Sequence, residues 1–141
     1  GNASSSDSAV VVAPEARSLE LHSEGIRSAL QGDYPEAIAK YDQALMLSPQ
    51  NPEIYYNRAV AHYSEHHDQL AVQDFNRAIQ LQPTMAEAYA NRSMIHLDMG
   101  DPARALADGQ KAVTLFDQQG EKEQAAEVRA WLQEQAIQEI R

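Results

Sequence analysis

Apolar and small side chains recur three and four residues apart along this chain, in blocks separated by short polar breaks. Leu21, Gly25 and Ala29 begin the pattern, and Gly32-Asp33 interrupts it. Ala37, Ile38, Tyr41, Ala44 and Leu45 then form the apolar stripe of a second amphipathic helix, spaced at i, i+1, i+4, i+7 and i+8. Pro49 stops that helix, and Pro52 suits the first turn of the next, where no backbone donor is needed. Strict apolar–polar alternation occurs nowhere, so strands are not expected.

The blocks return with a fixed period. Ala37, Ala71 and Ala105 are 34 residues apart, as are Ala44, Ala78 and Ala112. Gly25, Ala59 and Ser93 share another place in the frame, where a small side chain lets two helix backbones approach, while Tyr41 and Phe75 supply bulk nearby. The frame predicts units 18–51, 52–85 and 86–119, each of two antiparallel helices. An array of this kind offers a surface for a partner rather than a pocket built for chemistry. Residues 120–141 carry one more stripe, Ala125, Val128, Trp131, Leu132 and Ile137, which predicts a helix capping the last apolar face. Trp131, the only tryptophan, is assigned to the packing side of that cap, with a ligand anchor as the alternative. Residues 1–17 are read as a disordered leader or linker, Ser-rich at 2–8 and without any period. The chain opens at Gly1, which fits a linker or cloning remnant, or a tether behind a removed export signal or lipidated cysteine.

These residues resemble the tetratricopeptide repeat family, a 34-residue helix-turn-helix with small residues at its eighth and twentieth places, an aromatic at the twenty-fourth, Ala at the twenty-seventh and Pro at the thirty-second. The first unit matches at Gly25, Ala37, Tyr41, Ala44 and Pro49, and the second at Ala59, Ala71, Phe75, Ala78 and Pro83. The third keeps Ser93, Ala105 and Ala112 but has Gly109 where the aromatic belongs and Asp117 where Pro belongs. The resemblance implies an all-α, right-handed α-α superhelix of three units with a capping helix. It further implies a non-enzymatic protein-interaction scaffold whose first helices line a concave groove. The groove residues carried over are His22 and Ile26 from the first unit, Glu53, Tyr56, Asn57, Val60 and Tyr63 from the second, and Glu87, Asn91 and Met94 from the third.

Asn57 and Asn91 occupy matching places mid-helix, where Asn is a mediocre former. Either each amide clamps the backbone of a bound peptide, or each bonds a neighbouring helix or is mere family drift. One branch of the family grips the acidic C-terminus of cytosolic chaperones with two Lys, one Arg and two Asn. Here those places hold His22, Ile26, Asn57, Glu87 and Asn91, so only Asn57 matches and Glu87 reverses a charge. The expected ligand is therefore a neutral, apolar or basic segment, not an acidic tail.

A sign inversion adds a contact prediction. The seventh place of the units reads Glu24, Arg58, Arg92, and the twenty-third reads Lys40, Asp74, Asp108. Opposite charges match within each unit, whereas pairing across units would set Lys40 against Arg58. The expected pairs are Glu24–Lys40, Arg58–Asp74 and Arg92–Asp108, each contributing about 0–1 kcal/mol if exposed.

Composition narrows the partner further. A formal net charge of −10 disfavours nucleic acid and anionic membranes. No cysteine is present, so disulfides and zinc–thiolate sites are excluded and the redox compartment is open. The longest apolar run, residues 9–13, is too short to span a bilayer. His62 and His66 lie four apart, a spacing that can hold a metal, but no HExxH pattern accompanies them and packing is the favoured role for His62 and His96. No nucleophile–His–acid motif or phosphate loop appears, so neither catalysis nor a cofactor is expected. The alternatives to the groove are a homo-oligomeric assembly subunit using the convex face or array end, and, further off, a metal-binding or enzymatic role. The compartment stays open, cytoplasmic by default or exported and lipid-tethered.

Overall fold

A computed structural model describes residues 13–140. Seven helices follow one another: α1 (Pro14–Leu30), α2 (Tyr34–Leu47), α3 (Pro52–Ser64), α4 (Asp68–Leu81), α5 (Ala86–Asp98), α6 (Pro102–Gln118) and α7 (Lys122–Ile140). No strand occurs among the described residues. The capping chemistry is local. Asp33, Asn51 and Asp101 accept from the backbone N–H of Glu36, Glu53 and Arg104, and Pro sits in the first turn of α1, α2, α3 and α6. α1 starts at Pro14, inside the stretch expected to be leader. Pro14 and Glu15 suit a helical first turn, and Ser18 is buried with its Oγ donating to the Ala44 carbonyl.

The turn between the helices of each unit needs a left-handed residue. Gly32 and Gly100 supply it at φ 80° and 81°, and His66, midway in the 34-residue frame, adopts φ 63°. His66 is thus a turn residue beyond the end of α3, not a second histidine on the helix face of His62.

Each unit packs its two helices against each other, and α2 and α4 pass the array on to α3 and α5. First helices also touch their successors, α1 with α3 and α3 with α5, which places them on the inner side of the superhelix. The core is serial. Leu21, Tyr41 and Leu45 pack with Ile54 of the next unit, Phe75 packs with Met85 and Ile95, and Leu115 and Phe116 pack with Ala125 of α7. Each apolar face is therefore closed by the element that follows it.

The small residues have direct steric causes. A Cβ on Gly25 would stand 2.5 Å from Cε1 of Tyr41, so the ring occupies that space. In the third unit the aromatic is replaced by Gly109, and a Cβ there would stand 2.7 Å from Cδ2 of Leu132. The cap helix fills from outside what Tyr41 and Phe75 fill from within. Ser93, at the place of Gly25, donates its hydroxyl to the Ala105 carbonyl.

All three charge pairs form. Lys40 Nζ lies 3.3 Å from Glu24 Oε2, while Arg58 and Arg92 each hold both oxygens of their aspartate, Asp74 at 2.8 Å and Asp108 at 2.7 Å. The first pair is partly exposed, whereas Asp74 and Asp108 are buried, so the small contribution of an exposed pair applies to the first alone. The free Nη1 of each arginine reaches the preceding unit, 2.8 Å from Asp42 Oδ1 and 2.8 Å from Asn76 Oδ1. These arginines therefore fasten adjacent units as well as their own.

Candidate functional site

The inner helices are linked by bonds between residues 35 apart. Asn57 Nδ2 lies 2.7 Å from His22 Nε2, Asn91 Nδ2 donates to the Tyr56 hydroxyl at 3.0 Å, and the Tyr63 hydroxyl donates to Asp98 Oδ2 at 2.6 Å. Asn91 Nδ2 also donates to the Glu87 carbonyl at 3.0 Å. Of the two readings of the asparagines, the amide nitrogens realise the second, a bond to the neighbouring helix. An amide nitrogen only donates, so His22 accepts through Nε2 and carries its proton on Nδ1. Burial lowers the His22 pKa against the opposing charge of Glu53, in keeping with a neutral ring. Its ring meets Tyr41 edge-on at 5.8 Å.

Tyr56 and Tyr63 are held as phenols. Burial pushes Tyr56 up, Glu87 adds to this, and the Asn91 bond opposes it. The bond to Asp98 is the main cause of a Tyr63 pKa pushed up to about 12, with burial second.

Beyond these bridges the groove opens. A concavity of about 300 Å³ lies between α5 and α7, with Tyr56 at its α3 edge. Ala90, Met94, Phe116, Val128 and Trp131 give it an apolar interior, and Glu87 and Glu127 stand on opposite helices at its walls. A second, more polar concavity of about 460 Å³ shares Tyr56 and Glu87 and continues past Glu53, Asn57 and Gln82. Neither lining contains a Lys, Arg or His. Glu53, Glu87 and Glu127 have no ion-pair partner within 4.0 Å among the described residues.

The ten groove residues anticipated from the sequence thus divide. Tyr56, Glu87, Asn91 and Met94 converge on the first concavity, and Glu53 and Asn57 line the second with Tyr56 and Glu87. His22 is buried and acts as a bridge, while Ile26, Val60 and Tyr63 line neither concavity. Val60 and Tyr63 pack at the edge of the second core cluster. Phe116, Gln124, Glu127 and Val128 were not anticipated as site residues, and Trp131 only as the alternative to cap packing. Trp131 is half-buried and walls two cavities, the groove on one side and a space beside Leu97, Leu106 and Leu132 on the other. The Ile137 side chain lies outside what the structure describes.

Of the two histidines considered for metal, His62 lies in α3 and His66 in the turn that follows it. His62 Nε2 lies 3.8 Å from Asp74 Oδ2, and His96 repeats this at 3.6 Å from Asp108. Burial lowers both pKa values against the pull of these carboxylates. No group of three or more His, Asp or Glu placed to hold a metal occurs among the described residues.

Three tetratricopeptide-repeat family models match the chain, over residues 29–65, 52–85 and 69–120. The chain belongs to the tetratricopeptide repeat family. Comparison with curated proteins gives no match. Among solved structures, the TPR2B domain of yeast Sti1 in complex with pHsp70 is similar at 24% identity and a TM-score of 0.82, over 86% of this chain and 98% of that one. The first TPR of Spaghetti (RPAP3) bound to the HSP90 peptide SRMEEVD is similar at 26% identity and a TM-score of 0.69, over 81% of this chain and 94% of that one. The Yersinia enterocolitica type III secretion translocator chaperone SycD shares 15% identity at a TM-score of 0.81, over 86% of this chain and 93% of that one.

Proposed function

We propose that this protein is a non-enzymatic interaction scaffold that holds a segment of a partner protein in the concave groove, at the end formed by α3, α5 and α7. The observation that carries this reading is the apolar concavity between α5 and α7, walled by Met94, Val128 and Trp131. Met and aromatic side chains are favoured at binding surfaces as adaptable filler and rigid anchor. The Sti1 structure is a complex with pHsp70, and the Spaghetti structure holds the HSP90 peptide SRMEEVD. This groove favours a different ligand chemistry: a tail like SRMEEVD would meet Glu53, Glu87 and Glu127, none of them neutralised by a neighbouring cation among the described residues. A neutral, apolar or basic segment suits it better.

Selection from a display library of random peptides tests this. Enrichment of apolar and basic sequences, lost on the Ala90→Arg variant with its helical circular dichroism intact, is the expected result. Enrichment of acidic sequences, or equal capture by Ala90→Arg, would overturn it.

A further inference from the structure

The cavity between α5 and α7 has a composition that selects one side chain in particular. Its interior is a sleeve of Ala90, Met94, Val128 and Trp131, and two carboxylates, Glu87 and Glu127, stand at its walls. Such a site suits a side chain with a long apolar stem and a cationic end, since stems of this kind bury along apolar surface while the charge stays at the rim. An acidic side chain is repelled, and a purely aliphatic one leaves both carboxylates uncompensated. The volume of about 300 Å³ is large enough to take such a stem together with part of a neighbouring apolar residue.

Arginine fits better than lysine for two reasons. Its planar guanidinium can bond a carboxylate with two parallel N–H donors, and it stacks on an indole face. Trp131 lines the same cavity as Glu87 and Glu127 and so puts an indole within reach of the same cation. Tyr56 of α3 and Asn91 of α5, which also line the cavity, are already bonded to each other.

Resting on the groove reading above, we infer that the α5–α7 cavity is a specificity pocket for an arginine in the partner segment, its guanidinium held by Glu87 and Glu127 against Trp131. Trp131 is the only tryptophan, so intrinsic fluorescence reports on this cavity directly. The probes are short neutral peptides of Ala and Gln with a central Leu-Arg-Leu, and the same peptide with citrulline, lysine or glutamate in place of arginine. Citrulline keeps the shape and hydrogen-bonding plane but removes the charge.

The expected result is a saturable change in Trp131 emission with the arginine peptide, with binding at least about tenfold weaker for citrulline and glutamate. Lysine should fall between them. The Glu87→Gln/Glu127→Gln double variant, altered only at exposed side chains, should lose the difference between arginine and citrulline while still binding both. Equal affinity for arginine and citrulline on the unaltered protein would overturn this inference and leave the groove reading standing. A preference for arginine that survives in the double variant would overturn the assignment to these carboxylates. No emission change with any peptide would overturn both readings.

Discussion

The two ends of the array use one 34-residue frame to opposite effect. At the first unit the frame is filled from within. The Tyr41 ring occupies the space over Gly25, His22 is buried between Tyr41 and Asn57, and the charge pair of Glu24 with Lys40 remains partly exposed. At the third unit the frame is left incomplete, because Gly109 removes the ring and Leu132 of α7 enters instead. The charge pair there is buried, and the groove widens into a concavity walled by α7. A repeat can thus lose its own filling residue when the following element supplies bulk, and the substitution gives the cap a second role as a wall of the groove.

Removing a charge at each end should separate them most sharply. Asp108 lies 8% exposed, with both oxygens bonded to Arg92. Asp108→Ala leaves that guanidinium largely out of water, with only Asn76 as a partner, and should cost about 3 kcal/mol. Glu24→Gln in the first unit should cost less than about 1 kcal/mol. Urea midpoints of the two variants check this, and equal losses would show that burial does not distinguish the pairs.

The two glycines offer the next contrast. In Gly25→Ala the new methyl enters the Tyr41 ring, which is only 2% exposed and has little room to shift, so a loss of about 1–3 kcal/mol is expected. In Gly109→Ala the obstacle is the flexible end of Leu132, and the gain in helix propensity of about 1 kcal/mol offsets the crowding. Thermal unfolding should therefore show a clear drop for the first variant and little change for the second.

A smaller effect follows from the histidines. Burial depresses the folded pKa of His62 and His96, so the unfolded chain binds more protons than the folded one as the pH falls below about 6.5. Their stabilising contribution is present above that value and is lost as the pH falls toward the depressed folded values. Asp74, Arg58, His67 and Asp42 surround His62, and the carboxylates soften the effect without reversing it. His62→Gln/His96→Gln should flatten the stability profile between pH 7 and 5, leaving the contribution of His22 at the first unit.

Much of this architecture is legible in the sequence. Helix order and the small-residue places could be read because each occurs three times, and the charge pairs because one sign inversion breaks the symmetry between units. The amide bonds were open to two readings because the His22–Asn57 and Tyr56–Asn91 contacts cross between units, and their distance depends on superhelical curvature. Whether Asp74 and Asp108 are exposed is left open by the sequence for a related reason, since each is covered by an arginine that also leans on the preceding unit. The 34-residue spacing of His66 from Gly32 and Gly100 carries its turn role, although a histidine at such a place lacks the glycine that marks the other two turns. The part played by Val128 and Trp131 depends on the angle at which α7 leaves α6, which no periodicity encodes.

The central claim is that the partner segment lies at the third unit and cap, not along the amide-bridged start of the groove. Amide and indole chemical shifts of ¹⁵N-labelled protein, titrated with a peptide enriched in the display selection, test it most directly. The largest perturbations are expected at Glu87, Ala90, Asn91, Met94, Val128 and the Trp131 indole. Perturbations centred on Leu19, Ile26 and Leu30 of α1, or on the outer helices α2 and α4, would contradict the account.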